Sequence, residues 1–283
     1  MDQLIYHNGR IINAADCSFA PTSAGLLYGW GVFTTPRIYR GAVFQLDRHW
    51  ERLIRHARIA EIPVSLSLDE TKRAFSDLIR GNALDYGRAR ITILKGEAGA
   101  WRGGSTRQSD ILIFTAREES RESSPMAITI SPYRMLSHGP LAGVKRTAML
   151  ENLLALEEAR ARNFSEAVMV NERGEIAGAT TSNVFWTEGG EIYTPSLGTG
   201  CIAGITRSLV HEIAERAGMH VVEGGFPIQR LLDAGEVFLT STARGIAPVS
   251  SFDVKQYNLG RARLTRLITR EFQKLIRNAR ITA

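Results

Sequence analysis

Residues 139–150 read GPLAGVKRTAML, with one lysine, Lys145, set among small and apolar side chains just ahead of a helix-forming run. A weakly polar setting destabilises an ammonium and lowers its pKa. That is the condition for an amine that attacks a carbonyl and forms a Schiff base. On this segment alone the plainer reading, a loop lysine, stands first. The rest of the chain sharpens it. Of 35 cations only five are lysine: Lys72, Lys95, Lys145, Lys255 and Lys274. Lys72 lies on the polar face of a helix opened by the capping box Ser67–Glu70. Lys255 sits in a polar loop and Lys274 on a basic C-terminal helix, so all three read as solvated. Lys95 ends the strand ARITILK and faces either a pocket or solvent.

Two segments downstream of Lys145 carry a second signal. Gly204-Ile205-Thr206-Arg207 opens a helix, where free amides and the positive dipole end suit an anion. Thr240-Ser241-Thr242-Ala243 follows the strand EVFL, and hydroxyls and amides in a tight turn also suit a phosphate. Each alone is an ordinary cap or turn. With Lys145 they are a Schiff-base lysine plus a phosphate cradle, the needs of pyridoxal phosphate.

The 283 residues fit two domains, and 44% apolar with 23% charged residues is the composition of a globular protein. Asn8-Gly9 marks a hairpin, and residues 47–60 space Trp50, Leu53, Ile54 and Ala57 as a helix face. Neither half shows a βαβαβ series with Gly-rich first turns, so the fold class expected is α+β. The polar run near residue 120 predicts a linker. The expected division is a small α+β domain over 1–118, a linker over 119–126, and a larger α+β domain over 127–283 carrying the lysine.

Several function classes drop out. No C-x-x-C, G-x-S-x-G or G-x-x-x-x-G-K-[ST] appears, and Glu215 occupies the second histidine position of a would-be H-E-x-x-H. No metal site is expected. No apolar run approaches the ~20 residues of a membrane span, and MDQLIYHNGR lacks a leader's layout. Two cysteines, Cys17 and Cys201, point to a reducing cytoplasm. The net charge of +6 comes largely from arginine. Its densest run is the amphipathic helix near 258–278, read as the solvated face of a docked helix rather than a nucleic-acid surface.

The motifs, in order, resemble the class IV aminotransferases, the fold-type IV pyridoxal phosphate enzymes. This group includes branched-chain and D-amino acid aminotransferases and aminodeoxychorismate lyases. The resemblance runs from HNGRIINAADCSFAPTSAGLLYGWGVFTTPRIYRG through VKRTAMLENLLALEEARARNFSEAVMVNERGEIAGATTSNVFW to YTPSLGTGCIAGITR and FLTSTARGIAPV. It implies a two-domain architecture, a homodimer and pyridoxal 5'-phosphate held as an internal aldimine on Lys145. It implies that Arg52, Ile205, Thr206 and Thr242 hold the phosphate and that Ile202 packs on the ring. Tyr28, Phe33, Arg37, Lys95 and Ala243 match substrate-side positions. The implied activity moves an amino group between an amino acid or amine and a 2-keto acid. The alternatives are an aminodeoxychorismate-lyase-like activity or a catalytically weakened homologue.

The chain departs from the pattern where the family's glutamate bonds the pyridine nitrogen. That position, five residues before Asn183, is Gly178. Glu175 lies three residues earlier, about 10 Å away along a strand and on the opposite face, and substitutes only through a bulge. A glutamate introduced at 178 is expected to raise transamination. Trp30 and Thr34 occupy two further positions that are acidic in the family's pattern.

Overall fold

The Asn8-Gly9 turn does join two strands, β1 (Leu4–His7) and β2 (Arg10–Asn13), with both turn residues at positive φ. The structure, a computed structural model, describes residues 3–96, 108–119 and 123–278. Its backbone falls into two compact units.

The first unit holds Met1–Ser120 and Val144–Ala148. Beyond β1 and β2 its strands are β3 (Gly31–Thr34), β4 (Arg37–Tyr39), β5 (Ala42–Val43), β6 (Tyr86–Lys95) and β7 (Ser109–Arg117). They form one sheet in the order β2-β1-β7-β6-β4-β5, with β3 also paired to β6. Three helices accompany it: α1 (Ala24–Tyr28), α2 (Leu46–Ile59) and α3 (Leu68–Gly81). The capping box that opens α3 is present, with Glu70 N donating to Ser67 Oγ and Ser67 N to Glu70 Oε2. Such a cap stabilises a helix by roughly 1 kcal/mol. Trp50, Leu53 and Ala57 are buried as their spacing predicts, and they share the core with Phe75, Leu78, Ile91 and Ile113.

The segment Val144–Ala148 groups with this first unit and not with its neighbours in sequence, so Lys145 is not carried by the 127–283 body expected above. The reason is backbone pairing. Arg146 bridges Val32, Phe33 N donates to Lys145 O, and Thr147 N donates to Gly31 O. Of the expected linker, residues 120–122 lie outside the described residues.

The second unit holds Arg121–Gly143 and Met149–Asn278. Its sheet has nine strands: β8 (Met126–Met135), β9 (Glu166–Asn171), β10 (Ile176–Ala179), β11 (Asn183–Glu188), β12 (Glu191–Pro195), β13 (Val221–Gly224), β14 (Glu236–Ser241), β15 (Gly245–Phe252) and β16 (Lys255–Gln256). The order is β10-β9-β8-β15-β14-β11-β12-β13, with β16 on β15. The helices are α4 (Leu150–Ala161), α5 (Ile205–Arg216), α6 (Gln229–Asp233) and α7 (Arg263–Asn278). On the basic α7, Thr265, Ile268 and Phe272 are buried, and Glu236 accepts the amides of Leu264 and Thr265 at its start.

Candidate active site

Lys145 sits in the first unit above the ring of Phe33, its Nζ 4.5 Å from the ring centroid. The other side of its surroundings is cationic. Arg52 and Arg90 both act on it, and after desolvation they are the causes that bring its pKa down from 10.5 to about 7. Arg90 projects from β6 and lays its guanidinium on Phe33 at 3.6 Å. Burial lowers the Arg90 pKa as well, and its Nε donates to Thr92 Oγ1 at 3.1 Å. Among the described residues no carboxylate pairs with it.

Two histidines on α2 fix this pocket. His56 Nδ1 accepts the Lys145 amide at 3.0 Å, so the ring is neutral there. Burial first, then Arg52, Arg55 and Lys145, brings its pKa down to about 4. His49 shares a 2.6 Å hydrogen bond with Thr34 Oγ1, and Arg52 Nη2 donates to the same oxygen at 3.0 Å. His49 Nε2 is buried without a hydrogen-bond partner. Arg52 is therefore turned inward by α2 and its pKa falls to about 10, chiefly by burial. No sequence motif singles out His49, His56 or Arg90.

The other substrate-side candidates of this unit lie apart from that cluster. Arg37 is buried and paired with Glu118, which also takes Arg88 Nε at 3.0 Å. Lys95 donates from Nζ to Glu61 O at 2.7 Å and lies over Trp30. Trp30 in turn anchors to Ala60 O at 2.7 Å. Tyr28 ends α1 and is exposed, followed by Gly29 in the left-handed conformation.

In the second unit the candidate cradle is built from backbone. Asn183 opens β11, pairs with Thr240 of β14, and donates from Nδ2 to Ile202 O at 2.8 Å. One side chain thus ties the 200–204 loop to the strand that leads into Thr242 and Ala243. Gly204 is the N-cap of α5 and supplies no side-chain cap, so the first-turn amides, those of Ile205 and Thr206 included, lack an intrahelical acceptor. A Cβ on Gly204 would overlap Asn183 Oδ1. Buried Arg207 pins the helix start by donating to Pro195 O at 3.1 Å and pairing with Glu223. Thr242 and Ala243 lie in the three-residue turn between β14 and β15, whose strands pair Ser241 with Gly245. Ser182 Oγ and Thr240 Oγ1 are buried without hydrogen-bond partners.

Gly178 is buried in β10 next to a register shift, and its φ is +146°. Such backbone disfavours an L side chain, and a Cβ would meet Ser182 O at 3.2 Å. The bulge does not bring Glu175 into its place. Glu175 is taken up by Arg173 at 2.6 Å and Asn171 Nδ2 at 2.8 Å. Among the described residues no group of three acidic, histidine or cysteine side chains is placed to hold a metal.

A family model for class IV amino-transferases matches residues 31–252. The aminodeoxychorismate lyase of Bacillus subtilis is 31% identical over 281 residues, covering 97% of this chain and 95% of that protein. The D-alanine aminotransferase of Bacillus licheniformis is 30% identical over 254 residues, covering 88% of each. Among solved structures, the branched-chain amino acid aminotransferase of Escherichia coli superposes with a TM-score of 0.90 at 28% identity, covering 98% of this chain and 95% of that one.

Proposed function

This chain belongs to the class IV aminotransferase family of pyridoxal phosphate enzymes, and we propose that it is an aminotransferase moving an amino group between an amino acid or amine and a 2-keto acid. The observation that carries this reading is Lys145 Nζ, held at a pKa of about 7 by burial, Arg52 and Arg90. The residues present fit the cofactor. His49 Nε2, Ser182 Oγ and Thr240 Oγ1 are buried polar atoms without hydrogen-bond partners, and α5 opens on uncapped amides.

When bound, pyridoxal phosphate supplies an aldehyde and a ring that draws electrons from the substrate's α-carbon. The amides of Ile205 and Thr206, with Thr242, would hold its phosphate and Ile202 would pack on the ring; the family resemblance assigns Arg52 to the phosphate as well. Lys145 Nζ, when neutral, would hold the cofactor through its aldehyde, and once released the same atom would carry a proton off the substrate's α-carbon. Among the described residues no carboxylate pairs with the Arg90 guanidinium, which leaves it to a substrate carboxylate; the family resemblance puts Ala243 on the substrate side as well. Arg37 and Lys95 are already engaged by Glu118 and Glu61 O, which ranks them behind Arg90.

A lyase reading on the same scaffold is favoured by Gly178, since a ring nitrogen without an acid is a weaker electron sink. Amino exchange against a panel of keto acids separates the two. Transfer to at least one acceptor is expected, and release of a keto acid with no transfer to any acceptor supports the lyase.

The homodimer is part of the proposal. Leu150, Leu153 and Leu154 stand exposed at i, i+3 and i+4 on α4, an apolar stripe of the kind a second copy covers. Light scattering should give twice the chain mass, falling to one chain mass in Leu153→Glu/Leu154→Glu. Both cysteines are free, as a reducing cytoplasm would keep them. No described helix is long and apolar enough to cross a membrane.

A further inference from the structure

Glu166 opens β9 fully buried, an expensive place for a carboxylate unless donors surround it. Here they do. Its Oε1 accepts the amides of Ala167 and Thr180, each at 3.1 Å, and the Thr180 hydroxyl. Its Oε2 accepts the Thr181 hydroxyl at 2.6 Å and Arg244 Nη1 at 3.3 Å. Arg244 Nη1 also reaches Thr181 Oγ1 at 3.0 Å. Arg244 directly follows Thr242 and Ala243 in the turn between β14 and β15, and its carbonyl accepts Ser123 Oγ. One carboxylate therefore spans two turns: the one after Gly178, and the one that carries Thr242 and Ala243.

Strand alternation shows what Glu166 is not. On β9 it shares a face with Val168, whereas Gly178 stands opposite Met169 on the other face. With its oxygens already taken by five donors, it does not replace the acid missing at 178. We propose instead that Glu166 is a positioning residue, which through Arg244 holds the 242–244 turn in shape for an anion. The proposal rests on the reading of Thr242 and Ala243 given above for cofactor phosphate and substrate carboxylate.

Glu166→Gln keeps the shape but turns one acceptor into a donor, facing Thr181 and a cation that has lost its charge partner. Arg244→Met removes the link from the other end, at a half-buried side chain whose loss leaves the β-sheet core intact. Two readouts are needed. The first is amide hydrogen exchange over residues 241–246 in purified protein stripped of cofactor. The second is pyridoxal phosphate affinity, together with kcat and KM for the amino donor. Both single variants should speed exchange in 241–246 on the order of tenfold, with the inner residues of β9 unchanged. Both should weaken cofactor affinity and raise KM more than they lower kcat. The double variant should match Glu166→Gln alone, because the two side chains act through one link. Unchanged exchange in Arg244→Met, or additive effects in the double variant, would overturn the proposal. Should Glu166→Gln not fold, Arg244→Met carries the test alone. Should the wild-type protein take up no cofactor, the aminotransferase reading fails, while the exchange measurement still decides the clamp.

Discussion

Around Lys145, charge and burial set the chemistry: an amine between Phe33, Arg52 and Arg90, with neutral histidines beneath it. Around Asn183 in the other unit, shape sets it. There the working groups are amides and hydroxyls, and their places depend on glycines without room for a Cβ and on one carboxamide. The first arrangement should fail through protonation state and the second through affinity. Substitutions in the two regions should therefore leave different kinetic signatures.

The largest effect is expected from Lys145→Ala. Turnover should drop by about 10³-fold or more, together with the visible absorbance of lysine-bound pyridoxal. Persistence of that absorbance would make another lysine, Lys95 first, the carrier. Next comes Gly204→Ala, whose Cβ must push Asn183 aside. An overpacked contact of this kind costs about 1–3 kcal/mol, which is about five- to 150-fold in cofactor affinity when it falls on the bound geometry. Its pH profile should match wild type; a shifted profile would break the contrast between the two regions. Smaller still is Gly178→Ala, which should cost about 1–3 kcal/mol of stability for its left-handed backbone and be seen as a lower Tm. Gly178→Glu carries the same strain. A gain in transamination, the outcome expected from sequence, now requires the bulge at Ile176–Gly178 to relax.

How legible each region was follows from the same contrast. The uncapped start of α5 was legible because Gly204 brings no side chain to the first-turn amides. The α2 helix and the Ser67–Glu70 cap were readable because their spacing is local. Arg90 was not, since in the alternating strand Tyr86–Lys95 a cation looks like an outward residue until Phe33, opposite Thr92, is found with its ring under the Arg90 guanidinium. Glu166 was hidden because its partners lie 14, 15 and 78 residues away. The strand Gly245–Phe252 is hard to read from sequence as well, for Pro248 in its middle argues against a central strand. Nor did the sequence place Val144–Ala148 in the first unit. That depends on pairing with β3, more than a hundred residues upstream.

Burial and two arginines bring Lys145 Nζ to the point where about half of it is neutral near pH 7. Desolvation and neighbouring cations both disfavour the ammonium, so the neutral fraction should rise through a midpoint near 7 instead of 10.5. The direct test is the pH dependence of pyridoxal phosphate capture by cofactor-stripped protein, followed by its visible absorbance, in wild type and in Arg90→Met. The midpoint should lie near 7 in wild type and higher in Arg90→Met, because a cation that opposes protonation is gone. A wild-type midpoint near 10.5, or one that falls or stays fixed in Arg90→Met, would contradict it.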